Sequence, residues 1–371
     1  MKSPAVRLTF GLLTLLACAL RPAHADVATC QATKDATIYN DTVGNRADGK
    51  SWNLYAGQAG TNTTWPTRRA LVAFDLSAIP AGATVTNVQV KLFMSKTVVG
   101  AKDFALHRLT KSWNEGPSVG LSGNGTAAQT GDSTWLHTNY ATQFWTNPGG
   151  DFVTPASATL SIGSTYQYYV WGSNAALVAD VQGWVNNPAN NFGWILRGPE
   201  GGPKSAKQFE SRESLPNYRP VLVVTYTPPG PQVYCTAKVN SLGCTPSIGF
   251  SGVPDINAGS GFPITLGNTL NQKAGLLFYG TFGPTSTAFQ GGTLCVQAPF
   301  FRTGAQSSGG TPSPAADCSG TFAYDFNVLL AAGSNPSLQV GTLVCAQFWS
   351  RDPAATFTTN LSNALRFTVQ P

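Results

Sequence analysis

Two apolar runs in the first third of the chain repeat with a period of two. In Ala70-Leu71-Val72-Ala73-Phe74-Asp75-Leu76, Leu71, Ala73 and Asp75 point one way, and Val72, Phe74 and Leu76 the other. In Thr84-Val85-Thr86-Asn87-Val88-Gln89-Val90-Lys91-Leu92-Phe93-Met94, polar Gln89 and Lys91 separate Val88, Val90 and Leu92. Ile79-Pro80-Ala81-Gly82-Ala83 breaks the chain between them. A pleated strand sends successive Cβ atoms to opposite faces, so this pattern suits strands and no helix. The 39 Gly and 25 Pro supply frequent turns, and 11% aromatic residues supply packed cores despite only 11% charge. The expected fold class is all-β: two β-sandwich domains, the first jelly-roll-like with one short helix.

That helix is expected after residue 174. Leu177, Val181 and Trp184 stand at i, i+4 and i+7, and the Asn174 side chain can accept a free first-turn N–H. Asp35-Ala36-Thr37-Ile38-Tyr39 reads as an opening strand and Pro220-Val221-Leu222-Val223-Val224-Thr225-Tyr226 as a buried closing one. The Gly-, Ser- and Thr-rich residues 114–133 read as an exposed loop. Thr227-Pro228-Pro229-Gly230-Pro231 is a stiff break, with one cysteine of the expected mature chain before it and five after. Short punctuated strands beyond it suggest a second sandwich. The expected organisation is a leader over 1–25, a sandwich over 26–227, a linker over 228–232 and a Cys-containing sandwich over 233–371.

Lys2 and Arg7 precede a short apolar run, and Ala23-His24-Ala25 offers a small-x-small cleavage site, so export with a mature start at Asp26 is expected. Leu15-Leu16-Ala17-Cys18 offers a competing lipoprotein reading through Cys18, but it fits less cleanly. The expected location is secreted or at the cell surface, without a transmembrane segment. Six cysteines then remain, an even number suited to disulfides. Cys235 with Cys244 would clip one loop, Cys295 with Cys345 would join two strands, and Cys30 and Cys318 would pair or stay free; other connectivities remain open. Loss of Lys2, Arg7 and Arg21 leaves 20 basic against 17 acidic residues. Without a Lys/Arg cluster, this balance argues against nucleic acid.

Several motifs of the first segment resemble the DNRLRE-domain proteins, related to disaggregatase-like and alginate-binding carbohydrate-binding modules. They are Asp35-Ala36-Thr37-Ile38, the run from Arg69 through Ala83, Thr110-Lys111-Ser112-Trp113-Asn114-Glu115-Gly116, Asn191-Phe192-Gly193-Trp194-Ile195-Leu196 and Phe209-Glu210-Ser211-Arg212-Glu213. The resemblance covers roughly residues 30–227. It implies a jelly-roll fold and binding of an extracellular polysaccharide. The second segment resembles a C-terminal domain of uncharacterised exported bacterial proteins through Leu276-Leu277-Phe278-Tyr279-Gly280, Phe289-Gln290-Gly291-Gly292-Thr293-Leu294-Cys295-Val296 and Phe348-Trp349-Ser350-Arg351-Asp352-Pro353. That likeness implies no activity.

Flat rings suit sugar recognition because the C–H face of a pyranose is apolar, while cations and amides bind hydroxyls or carboxylates. Tyr168, Tyr169, Trp171, Trp135, Lys111 and Arg212 are the candidate ligand-binding residues. Strand alternation places Tyr168 opposite to Tyr169 and Trp171, so one set lines the core. Lys102, Arg108 and Lys111, or Lys204, Lys207, Arg212 and Arg219, would make a cationic groove for an acidic glycan. Gly44-Asn45-Arg46-Ala47-Asp48-Gly49-Lys50-Ser51 matches a phosphate-loop string, but a strand and turn are expected after it instead of a helix. Gly116-Pro117-Ser118-Val119-Gly120 matches a nucleophile-elbow string inside the loop. Glu115, Asp151, Glu210 and Glu213 are carboxylates that could serve a glycosidase, but pairing with Arg69, Arg197 or Arg212 is the simpler expectation. No catalytic set and no cofactor is expected; calcium is conceivable without assignable ligands. The expected function is non-catalytic polysaccharide binding, with a structural or adhesive protein and a polysaccharide lyase or hydrolase as alternatives. The oligomeric state is not legible.

Overall fold

The computed structural model describes residues 25–60, 63–120, 123–202 and 204–371. The leader and Cys18 readings rest on residues outside these. The N-terminal part comprises β1 (Asp26–Tyr39), β2 (Arg46–Asp48), β3 (Asn53–Gln58), β4 (Thr67–Phe74), β5 (Thr84–Thr97), β6 (Lys102–Arg108), β7 (Thr126–Ala127), β8 (His137–Asn139), β9 (Gln143–Phe144), β10 (Ala158–Ile162), β11 (Gln167–Trp171), α1 (Ala175–Asn186), β12 (Trp194–Arg197), β13 (Lys207–Glu210) and β14 (Val221–Thr227).

These strands form two antiparallel layers that share β1. Its first half pairs with β14, which pairs with β5; β5 also carries β11 and β13, and β13 carries β3. Its second half pairs with β4 and β2, and the layer continues through β12, β6 and β10. Alternation puts Val88, Val90, Leu92 and Met94 of the first layer against Val72, Phe74, Phe104 and Trp194 of the second, in one core. A strand that changes layers lets a sandwich close at its corner.

α1 falls where the i, i+4, i+7 spacing predicts it. Asn174 Oδ1 accepts from the N–H groups of Ala176 and Leu177, and Leu177, Val181 and Trp184 enter the core. The expectation for β14 needs correction, because its residues alternate between buried and half-buried, so only one face is covered.

Residues 114–133 are a larger correction. This segment does not hang in solvent: Ser118, Asp132, Ser133 and the neighbouring Thr134 are buried. Trp113, Trp135, Trp145 and Phe152 pack on Ala36, Ile38, Leu71, Ala73 and Ile195, the outer face of the second layer. Small residues permit this close approach. Gly116 holds φ +77°, and a Cβ there would collide with the Asp132 carboxylate.

The C-terminal part comprises β15 (Gln232–Tyr234), β16 (Ser247–Phe250), β17 (Pro263–Thr269), β18 (Ala274–Gly280), β19 (Pro284–Phe289), β20 (Gly292–Val296), β21 (Phe300–Arg302), β22 (Gln306–Ser307), β23 (Gly320–Asp325), α2 (Phe326–Ala332), β24 (Leu343–Arg351) and β25 (Thr359–Thr368). A sheet ordered β15-β25-β24-β18-β21, with β22 also on β18, faces a three-stranded sheet ordered β16-β17-β23. Their common core includes Phe262, Ile264, Leu277, Phe322, Phe348 and Phe367. α2 was not anticipated, although Asp325 caps its start and Gly333 ends it at φ +59°. Its seven residues are short enough for their apolar run to read as strand.

The disulfides are Cys235–Cys295 and Cys244–Cys318, with Cys30 and Cys345 free and buried. Both guessed pairings, Cys235 with Cys244 and Cys295 with Cys345, are therefore wrong. Nearness in sequence misled because Asn240 folds residues 240–244 into their own turn. Its Oδ1 accepts from Cys244 N, and its N–H donates to the Cys244 carbonyl.

Candidate functional site

The two outer faces of the N-terminal sandwich differ. The second layer is roofed by the segment carrying Trp113, Trp135 and Phe152, whereas the first layer presents its outward residues to solvent. Cross-strand register sets these in rows. Gln31, Val221, Lys91 and Val170 lie side by side on β1, β14, β5 and β11, as do Thr29, Val223 and Gln89 on the first three. Phe93 pairs with Tyr168, and their rings meet edge-on at 5.4 Å. Tyr218 tilts onto Phe93 at 4.5 Å and is 40% exposed. The Tyr168 hydroxyl donates toward the Asn217 and Arg219 carbonyls, fixing its ring beside the turn.

Polar groups adjoin this aromatic cluster. Tyr55 OH donates to Gln208 Oε1 at 3.2 Å, and Gln208 Nε2 donates to Ser95 Oγ at 3.1 Å. Asn53 Nδ2 and Ser214 Oγ both donate to Glu210. Lys91 and Lys96 make no ion pair among the described residues. The face thus combines three rings, a held amide network and two unpaired cations.

Of the sequence candidates, only Tyr168 belongs to this face. Tyr169 and Trp171 point inward and are buried, with Tyr169 OH on the Thr165 carbonyl and Trp171 Nε1 on the Phe104 carbonyl. Trp135 lies in the roof of the other layer, under the Arg69 guanidinium at 4.6 Å. Lys111 donates to the Phe144 carbonyl and lies 3.9 Å from Asp151. The two cationic sets are dispersed: Lys207 is buried among the carbonyls of Val99, Gly100 and Gly163, and Arg108 pairs with Asp180. Phe93, Tyr218 and Tyr55 were missed. Phe93 stands in the alternating β5 run opposite to Leu92, which alone marks it as outward.

Arg212 serves an ion network at the sandwich edge. Its Nη1 donates to Glu115 and Glu213, and Lys50 reaches Glu115 at 3.2 Å. Asp35, Glu115 and Glu213 each bring one carboxylate oxygen within 4.8 Å of the others. Burial, with Glu213 and Glu115 nearby, pushes the Asp35 carboxyl well above the usual range. Between Glu115 and Glu213 the guanidinium occupies the place a cation would take. Arg69 likewise holds Glu200, together with Arg197. Burial alone would raise Glu200, but these two partners hold it below the ordinary range.

The catalytic strings carry no matching geometry. β2 lies inside the phosphate-loop string and β3 follows it, with no helix after it. Ser118 is buried and its hydroxyl donates to Asp132. His107 Nδ1 faces the Val153 carbonyl and His137 Nδ1 faces Thr134 Oγ1, and burial lowers the pKa of both.

Residues 26–118 match carbohydrate-binding module family 96. The matched stretch spans β1 to β6 and includes Phe93, Lys91 and Tyr55. It supports a carbohydrate-binding module in the N-terminal part of the chain. No curated protein matches. Among solved structures, a β-1,2-glucanase from Parabacteroides distasonis aligns with 91% of this chain and 39% of its own, at 11% identity and a TM-score of 0.18. The chain therefore spans well under half of that enzyme, and so low a score carries no argument about fold or chemistry.

Proposed function

We propose that the chain is an exported, non-catalytic polysaccharide-binding protein whose ligand lies along the open face of β11, β5, β14 and β13. The observation that carries this reading is the asymmetry of the sandwich: one outer face is sealed by its own chain, and the other presents half-buried Phe93 and Tyr168 and exposed Tyr218 beside unpaired Lys91 and Lys96. The rings stack on the apolar side of pyranoses, the lysines meet acidic groups, and Gln208 and Asn53 meet hydroxyls. The family match over 26–118 supports it, and the two disulfides suit an oxidising compartment.

Affinity electrophoresis through alginate, pectate and neutral glucans tests it. Retention by at least one polysaccharide is expected. Phe93→Ala and Tyr218→Ala should each weaken it about tenfold, the order expected for a lost aromatic anchor. Glu115→Gln and Glu213→Gln should leave no polysaccharide-cleaving activity to lose. No retention of the folded protein, or retention indifferent to both ring deletions, would sink the assignment.

A further inference from the structure

The C-terminal sandwich contains a cleft of about 300 Å³ between its larger sheet and the β19–β20 hairpin. Leu276 and Phe278 of β18, Trp349 of β24, Phe300 of β21 and Leu294 of β20 make its walls, so nearly all of the lining is apolar. Phe278 and Phe300 stand 5.3 Å apart, ring to ring. Such a wall would ordinarily be filled by the protein's own side chains, because an unfilled apolar surface forfeits dispersion contacts.

Two polar groups stand at this cleft. Gln290 Oε1 is held by Trp349 Nε1 at 3.1 Å and Thr359 Oγ1 at 2.8 Å, which fixes the amide and leaves its N–H donors unassigned. The Arg302 guanidinium lies 5.5 Å from the Phe300 ring centre and makes no ion pair or side-chain hydrogen bond among the described residues. The available polar groups are thus donors, one of them a full positive charge, and no carboxylate lines the cleft. Sugar recognition needs several acceptors and donors for hydroxyls, and this lining does not supply them. An apolar body with a single anionic group matches it on both counts.

We propose that this cleft binds a small amphipathic acid, with an aromatic or branched aliphatic body between Phe278, Phe300 and Trp349 and a carboxylate or sulfonate at Arg302. The site is separate from the glycan-binding face and independent of that reading.

Calorimetric titration of the full chain with naphthoate and with neutral naphthamide tests the assignment. Naphthoate should saturate one site per chain. Arg302→Gln should weaken naphthoate about tenfold, as expected for a lost charge-assisted contact, and leave naphthamide within about twofold. Leu294→Trp, which fills the cleft, should abolish binding of both probes. Arg302 is exposed, so its replacement leaves the core untouched. Absence of saturable naphthoate binding to the native chain overturns the proposal. So does an Arg302→Gln protein that binds both probes as the native chain does.

Discussion

Asp48 allows a sharp test of the packing of the N-terminal sandwich. It is 2% exposed, accepts from Gly120 N and Tyr39 OH, and has no ion pair among the described residues. Burial dominates its environment and raises its carboxyl from 3.8 to about 6, against the opposing hydrogen bonds. In the unfolded chain it titrates near the ordinary value. The folded state therefore binds more protons between those limits, and stability falls as pH rises. The contribution is fully present below about pH 4, declines through about pH 6, and is level above. A shift of about two units at 1.36 kcal/mol each corresponds to about 3 kcal/mol. Asp48→Asn keeps an acceptor but removes the titration. Urea unfolding followed by tryptophan fluorescence suits the measurement, because eight of the nine tryptophans precede the Pro-rich stretch. The stability of the native chain relative to Asp48→Asn should fall by about 3 kcal/mol from pH 3.5 to 7. Parallel pH profiles for the two proteins would refute the reasoning, since they would mean that Asp48 is hydrated in the fold.

Asn174→Ala removes both acceptor contacts at the start of α1 and should cost about 1 kcal/mol, read as a lower urea midpoint with unchanged slope. Cys244→Ser with Cys318→Ser opens a bridge across 74 residues and should lower the stability of the C-terminal sandwich by about 2–4 kcal/mol, measured by calorimetry under oxidising conditions.

Much of the fold was legible because its signals are local. The alternation in β4 and β5, the Asn174 cap and the breaks at Pro80 and Pro228 each report on backbone geometry within a few residues. The alternation around Tyr168 also showed that Tyr168 and Tyr169 must part company. It could not show which of them met water, because that depends on which face of β11 meets the opposite layer. Residues 114–133 misled for the same reason: small polar residues mark a loop, but whether it roofs a sheet depends on the apolar face waiting beneath it.

Sequence by itself determined that this chain makes strands and one well-capped helix, because periodicity and capping are set by neighbouring residues. Tertiary structure alone decided the cysteine partners, the burial of Tyr169 and Trp171, the ion network around Arg212 and the choice of exposed face. Each of these depends on groups tens of residues apart being brought within a few ångströms, and no local pattern encodes that distance.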